Sequence, residues 1–184
     1  IQLASFNLED YIKRRSNLST DEWLDLLIRT IGLEPSQFDK RTKLLMLIRL
    51  IPMIQRNYNL IELGPRGTGK SYVYRDLSPY AILVSGGKTT VPNLFYNMST
   101  RKVGLVGMWD VVAFDEVSGI KFDDKSAVQI LKDYMESGSF SRGREELVAE
   151  ASIVFAGNLN QPVDVLVRTS TLFQPLPEEM QDMA

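Results

Sequence analysis

The chain has 184 residues, a formal net charge of −2 and neither cysteine nor histidine. That length buries a sizeable core without staples, and the charge argues against a wholly basic nucleic-acid-binding domain while leaving room for a local basic surface. Disulfides, thiolate or imidazole metal sites and histidine triads are excluded within it, so any catalysis rests on carboxylates, lysine, arginine, asparagine and bound Mg²⁺. No apolar run approaches a membrane span and no signal-peptide pattern is present, so a cytoplasmic protein without a membrane partner is expected. The chain opens at Ile1 and stops within residues 177–184. It is expected to be an excised piece of a longer protein.

In chain order, the first strong signal is Ser19-Thr20-Asp21-Glu22, a capping box ahead of Trp23, Leu24, Leu27, Ile28 and Ile31 at helical spacing, with Gly32 as the stop. The cluster Lys13-Arg14-Arg15 stands beside Glu9 and Asp10 and reads as a solvated face. Ser36 precedes a second helical pattern carried by Leu44, Leu47, Ile48 and Ile51, which Pro52 should kink or end. Residues 1–56 are expected to form a helical segment packed on a core of residues 57–184.

Residues 60–72 then pass from an apolar strand pattern through three glycines into Lys70 and Ser71 at the mouth of a helical pattern. This is the order a phosphate-cradling loop requires. Gly64, Gly67 and Gly69 allow successive N–H groups to converge on a phosphate at the positive end of the following helix. Lys70 adds a charge for the β- and γ-phosphates, and the Ser71 hydroxyl supplies a ligand to Mg²⁺. The expected ATP contacts are Gly64, Pro65, Arg66, Gly67, Thr68, Gly69, Lys70, Ser71 and Tyr72.

Residues 80–84 form a continuous apolar run with the pattern of a parallel strand buried on both faces. Gly86-Gly87-Lys88-Thr89-Thr90 reads as a flexible loop, Leu94, Phe95 and Met98 as a short helix, and Gly104 to Val106 as a short strand. Val111-Val112-Ala113-Phe114 then feeds the carboxylates Asp115 and Glu116. At the carboxyl end of a central parallel strand, where open α/β sheets bind ligands, Asp115 would hold a water of the Mg²⁺ shell and Glu116 would orient or deprotonate the attacking water.

Residues 125–137 carry Val128, Leu131 and Met135 on one helical face, with Gly138 as the stop. Residues 139–147 read as a hairpin whose tip places Arg142 and Arg144 around Gly143. A strand over residues 151–156 leads to Gly157-Asn158, where an amide beside the Asp115 strand can reach a γ-phosphate or position the water.

Together, Gly64 to Ser71 as Walker A, Val111 to Glu116 as Walker B and Asn158 as sensor 1 resemble the core of an AAA+ ATPase. The whole run, including Glu22-Trp-Leu-Asp-Leu-Leu-Ile-Arg, Ala156-Gly-Asn-Leu-Asn and Leu176-Pro-Glu-Glu-Met-Gln-Asp, is similar to the BrxL family, the Lon-like AAA+ proteins of BREX phage-defence systems. The resemblance implies a P-loop NTPase of the α/β class, a three-layer α/β/α sandwich with a mostly parallel sheet and helices in front. It departs from the pattern at its end, with no arginine finger in the usual place, no fifth core strand, no lid and no peptidase residues. It implies ATP and Mg²⁺ as cofactors, and Lys70, Glu116 and Asn158 as the catalytic groups. Its implied partners are copies of itself in a ring, a hexamer or a multiple of one, together with DNA and other BREX components. In AAA+ proteins with a hairpin just before sensor 1, the tip faces the ring channel, so Arg142 and Arg144 are the expected DNA contacts. The expected activity is ATP hydrolysis in the assembled protein, weak in this piece alone. Two alternatives stay open: a nucleotide-gated, DNA-encircling assembly module with incidental turnover, and an unfoldase feeding a Lon-type protease.

Overall fold

The computed structural model describes residues 6–85, 88–116, 121–122, 125–142, 145–176 and 181, with backbone alone at 88–89, 121–122, 125–126, 142 and 145–146. The chain divides into two compact units, residues 1–48 and 49–184. The break falls ahead of the expected 56/57 because Leu50 and Met53 pack against Val73, Tyr74, Val111 and Val154 of the second unit.

The first unit holds helices α1 (Leu8–Ser16), α2 (Thr20–Thr30) and α3 (Lys40–Ile48). The capping box on α2 is formed: the Ser19 N–H donates to Glu22 Oε2 at 2.8 Å and the Glu22 N–H donates to Ser19 Oγ at 3.3 Å. Two helix-entry donors are thereby satisfied. Gly32 takes φ 81° just past the helix end. The α3 helix starts later than the Ser36 signal suggests, because Pro35–Gln37 forms a 3-10 turn and Asp39 Oδ1 accepts the Thr42 N–H at 2.8 Å. Lys43 on α3 pairs with Asp25 on α2 at 2.6 Å. The basic cluster finds its partners locally, with Arg14 on Asp10 at 2.8 Å and the Arg15 guanidinium 4.8 Å from the Trp23 ring centroid.

The second unit runs β1 (Leu60–Gly64), α4 (Lys70–Tyr72), a π-helical turn (Val73–Leu77), β2 (Ala81–Ser85), β3 (Lys88–Thr89), α5 (Val91–Leu94), β4 (Tyr96–Asn97), β5 (Lys102–Val103), β6 (Val111–Asp115), β7 (Lys121–Phe122), α6 (Lys125–Ser137), β8 (Ser139–Arg142), β9 (Glu145–Val148), β10 (Ser152–Asn158) and α7 (Val163–Arg168). Its main sheet is parallel throughout, in the order β1-β10-β6-β2. Helical segments pack on it, which is the expected α/β class.

Strand alternation sorts the core onto the two faces of the sheet. Val112 and Phe114 of β6 and Ile153 and Phe155 of β10 meet Leu131 and Tyr134 of α6, with Phe95 and Phe140 beside them. Phe114 and Phe155 are register partners and stack with ring centroids 5.4 Å apart. On the other face Val111, Ala113 and Val154 meet Val73 and Tyr74, just after the phosphate loop. That packing seats the loop against the sheet, and Gly138, at φ 72°, ends α6 as expected.

Some local expectations are corrected. The strand expected to be buried on both faces is β2, which among the described residues pairs only with β6 and is half-buried at Ile82, Leu83 and Val84. Lys88 and Thr89 pair in parallel with Lys121 and Phe122 rather than lying in a loop. Residues 104–106 are not a strand: Leu105–Gly107 is a 3-10 turn, and the strand is Lys102–Val103, paired with Tyr96–Asn97. The short helix ends at Leu94, before Met98. Residues 86–87 and 177–180 lie outside the described residues. Among the described residues no helix is long and apolar enough to cross a membrane.

Candidate functional site

The three motifs converge because parallel strands deliver their ends to one edge of the sheet. Gly64, which ends β1, is the register partner of Asn158, which ends β10, and Ala156 of β10 is the register partner of Asp115 on β6. A cleft of about 290 Å³ opens at that edge, lined by Arg66, Gly67, Thr68, Gly69, Lys70, Ser71, Tyr72, Asp115, Glu116 and Asn158. Of the expected site residues, Gly64 and Pro65 are not among those lining it; their backbone carbonyls receive the Lys70 ammonium.

The loop conformation depends on glycine. Gly67 and Gly69 hold φ of 78° and 77°, the left-handed region that side chains with a Cβ avoid. An added Cβ at Gly67 would meet nothing within 4 Å, so the space above the loop is open. Gly69 precedes the first helical residue, and the Val73 N–H donates to its carbonyl at 3.3 Å. Because α4 spans a single turn before the π-helical segment, the N–H groups at its start are free of intrahelical acceptors and available to an anion.

Lys70 is only 5% exposed. Its Nζ donates to the Gly64 carbonyl at 3.0 Å, the Pro65 carbonyl at 2.6 Å and Thr68 Oγ1 at 3.3 Å. Burial lowers its pKa below the usual lysine value; Glu62 and Asp115 pull the other way and Arg49 reinforces the drop. Among the described residues the ammonium donates to neutral oxygens, and a phosphate would offer it an anionic acceptor.

The carboxylates Asp115 and Glu116 line the same cleft. Asp115 is half-buried, and its Oδ1 accepts the Glu116 N–H at 3.0 Å. Glu116 is exposed and holds φ 50°, a strained setting for a residue with a side chain. The turn thus carries two neighbouring acids in two environments.

Sequence reasoning missed Arg49 and Glu62. Arg49 Nη1 donates to the Thr68 carbonyl at 3.1 Å and Nη2 donates to Glu62 Oε1. Burial raises the Glu62 pKa against the opposing pull of Arg49 and Lys70. Glu62 Oε2 and the Tyr74 hydroxyl, buried nearby, have no hydrogen-bond partner among the described residues. The available signal is Glu62 itself: an acid inside the apolar run Leu60-Ile61-Glu62-Leu63 demands a cationic partner.

The hairpin is present, with β8 and β9 antiparallel and Arg142 opposite Glu145. Its expected tip, residues 143–144 including Arg144, and the Arg142 side chain lie outside the described residues.

A parallel sheet whose first strand opens into a glycine loop and a Lys-Ser helix start, with acids at the end of the next strand but one lining the same cleft, defines a P-loop nucleotide-binding domain. The family model described as Lon-like protease BrxL-like, ATPase domain, matches residues 1–184. The chain belongs to this family of BrxL-like ATPase domains. Two curated relatives carry the name Lon-like protease BrxL. One, from Bacillus cereus strain H3081.97, is 61% identical over 180 residues, 98% of this chain and 27% of its own length. The other, from Escherichia coli O9:H4 strain HS, is 56% identical over 184 residues, 100% of this chain and 26% of its own length. The uncharacterized protein ORF426 of Acidianus filamentous virus 1 is 31% identical over 130 residues, 66% of this chain and 30% of that protein. The chain spans about a quarter of the length of the two BrxL relatives.

Proposed function

We propose that this chain is the ATP-binding core of a ring-forming AAA+ ATPase that hydrolyses Mg-ATP and engages DNA in BREX-type phage defence. The observation that carries the nucleotide reading is the cleft lined jointly by the phosphate loop, Asp115, Glu116 and Asn158. Its residues fit Mg-ATP: open space lies over Gly67, and a buried lysine sits at the floor whose Nζ, among the described residues, donates to neutral oxygens.

Mg-ATP would bring the phosphoanhydride to be cleaved and a cation that spreads its developing charge. Lys70 neutralises the β- and γ-phosphates in exchange for its carbonyl partners. Ser71 would ligate Mg²⁺ through its hydroxyl, and Asp115 would hold a water of the same shell. Glu116, on the exposed side of the turn, orients the attacking water or takes its proton, while Asn158 donates from the neighbouring strand. Assembly into a ring and contact with DNA are carried over from the AAA+ resemblance of the motifs, and the antiparallel β8–β9 hairpin just before β10 is the element that would make the DNA contact. The protease in the relatives' names concerns chains about four times longer. The activity proposed for this chain is the nucleotide step.

The test is a pair of variants in the protein that carries these residues. Lys70→Ala is expected to abolish MgATP binding, whereas Glu116→Gln keeps binding and slows hydrolysis by about 10²–10⁴-fold, the usual worth of a positioned base. Equal loss of affinity in both would overturn this division of roles. Ring formation and DNA retention by Glu116→Gln equal to the unaltered protein, with turnover lost, would favour nucleotide-gated assembly over hydrolysis as the working step.

A further inference from the structure

Thr68 and Gly69 share one peptide plane, and Arg49 holds one side of it. Arg49 lies ahead of β1, is 6% exposed, and donates from Nη1 to the Thr68 carbonyl at 3.1 Å. Its Nη2 is bound to Glu62 Oε1 in the middle of β1, so the guanidinium cannot swing without breaking a largely buried ion pair. A trans peptide directs its carbonyl and its N–H to opposite sides. With the Thr68 oxygen drawn onto Arg49, the Gly69 N–H therefore faces away from Arg49. Gly69 lines the cleft, and among the described residues no carbonyl accepts its N–H.

We propose that Arg49 is a positioning residue for the phosphate loop: anchored by Glu62, it sets the Thr68–Gly69 peptide so that the Gly69 N–H points at the phosphates of a bound nucleotide. The inference rests on the nucleotide reading above and adds two residues from outside the loop to it. Arginine suits the task because its planar fork serves two acceptors at a fixed angle, which the single ammonium of lysine does not. Glu62 balances the guanidinium charge, so the loop is oriented without leaving an uncompensated cation beneath Lys70. A buried ion pair gains little stability over an apolar pair of similar volume. Its place under the loop is explained by orientation.

Two variants separate orientation from charge and from folding. Arg49→Lys keeps the positive charge beside Glu62 and loses the fork; the double variant Arg49→Met, Glu62→Leu removes both charges and leaves none unpaired. MgATP affinity and the thermal midpoint of the nucleotide-free protein are measured for each. The expected result is MgATP binding weakened by about 10–100-fold in both, the worth of one hydrogen bond to a charged group, at a thermal midpoint close to the unaltered one. Unaltered affinity in either folded variant overturns the proposal. If neither variant folds, the amide proton of Gly69 in the unaltered protein decides: a downfield move on adding MgATP supports the proposal, and an unmoved resonance overturns it. An unaltered protein that takes no MgATP overturns the nucleotide reading and this inference together. Normal binding there, with equal affinity in the variants, overturns this inference alone.

Discussion

Gly64 and Asn158 face each other as register partners on adjacent parallel strands, and the Leu159 N–H donates to the Gly64 carbonyl at 3.0 Å. The residue that opens the phosphate loop and Asn158 therefore leave the sheet side by side. Asp115 pairs with Ala156, two positions before Asn158 on the strand between. Three segments far apart in sequence share one edge because β10 is inserted between β1 and β6.

This placement predicts a specific loss for Asn158→Ala. With the loop untouched, MgATP affinity is expected to stay close to that of the unaltered protein. Turnover should fall by about 10²–10³-fold, the worth of one oriented donor at a reacting centre. A matching loss of affinity would instead assign Asn158 to ground-state binding.

The pKa of Lys70 predicts a pH dependence with a definite sign. Burial, with Arg49 adding to it, places the folded value below 10.5, while Glu62 and Asp115 oppose the shift. Between the lowered value and 10.5 the unfolded chain holds more protons, so stability of the nucleotide-free protein gains from this group as pH rises through that window. Phosphate binding needs the ammonium, so MgATP binding takes up a proton there and weakens with rising pH. Calorimetric titrations in buffers of different ionisation enthalpy measure that uptake. Lys70→Arg, which cannot lose its charge in this range, should show none.

DNA contact is predicted at the hairpin. Arg142→Ala with Arg144→Ala, in the assembled protein, should weaken DNA binding and make its salt dependence shallower, by about 0.9 in log–log slope for each phosphate that is no longer neutralised. Ring assembly is monitored in parallel. Unchanged affinity and slope in intact rings would place the DNA contacts elsewhere.

The α6 face predicts ordinary core energetics. Leu131 is fully buried against the sheet, and Leu131→Ala should cost about 2–5 kcal/mol in urea unfolding. The Tyr134 hydroxyl donates to the Ala151 carbonyl at 2.7 Å. Removing it in Tyr134→Phe leaves a buried acceptor and should cost about 1–3 kcal/mol.

Much of this is legible in the residues alone because the physics is local. The Ser19-Glu22 capping box, the end of α6 at Gly138, the glycines of the phosphate loop and the apolar run into Asp115 are each specified within a few positions. Period and capping chemistry act over one or two helical turns, and the structure places these features where the residues put them. The expected starts and ends fail where a long-range contact decides. Leu105–Gly107 becomes a 3-10 turn beside the paired segments Tyr96–Asn97 and Lys102–Val103, and residues 49–53 join the second unit through their packing on Val73 and Tyr74.

By itself the sequence singled out the residues proposed to carry the chemistry, since a phosphate cradle, a cation and a pair of acids are matters of residue type and short spacing. Only the tertiary structure decided that they meet. The insertion of β10 between β1 and β6 depends on backbone pairing between residues some 40 to 90 positions apart, as in Val111 with Ser152 and Leu60 with Val154. No periodicity encodes strand order. The Arg49–Glu62 pair belongs to the same class: Glu62 announces the need for a cation, but which of the chain's 21 lysines and arginines answers it is a property of the folded molecule. A buried charge is compensated by proximity in space, and that proximity exists only once the strand is in the sheet.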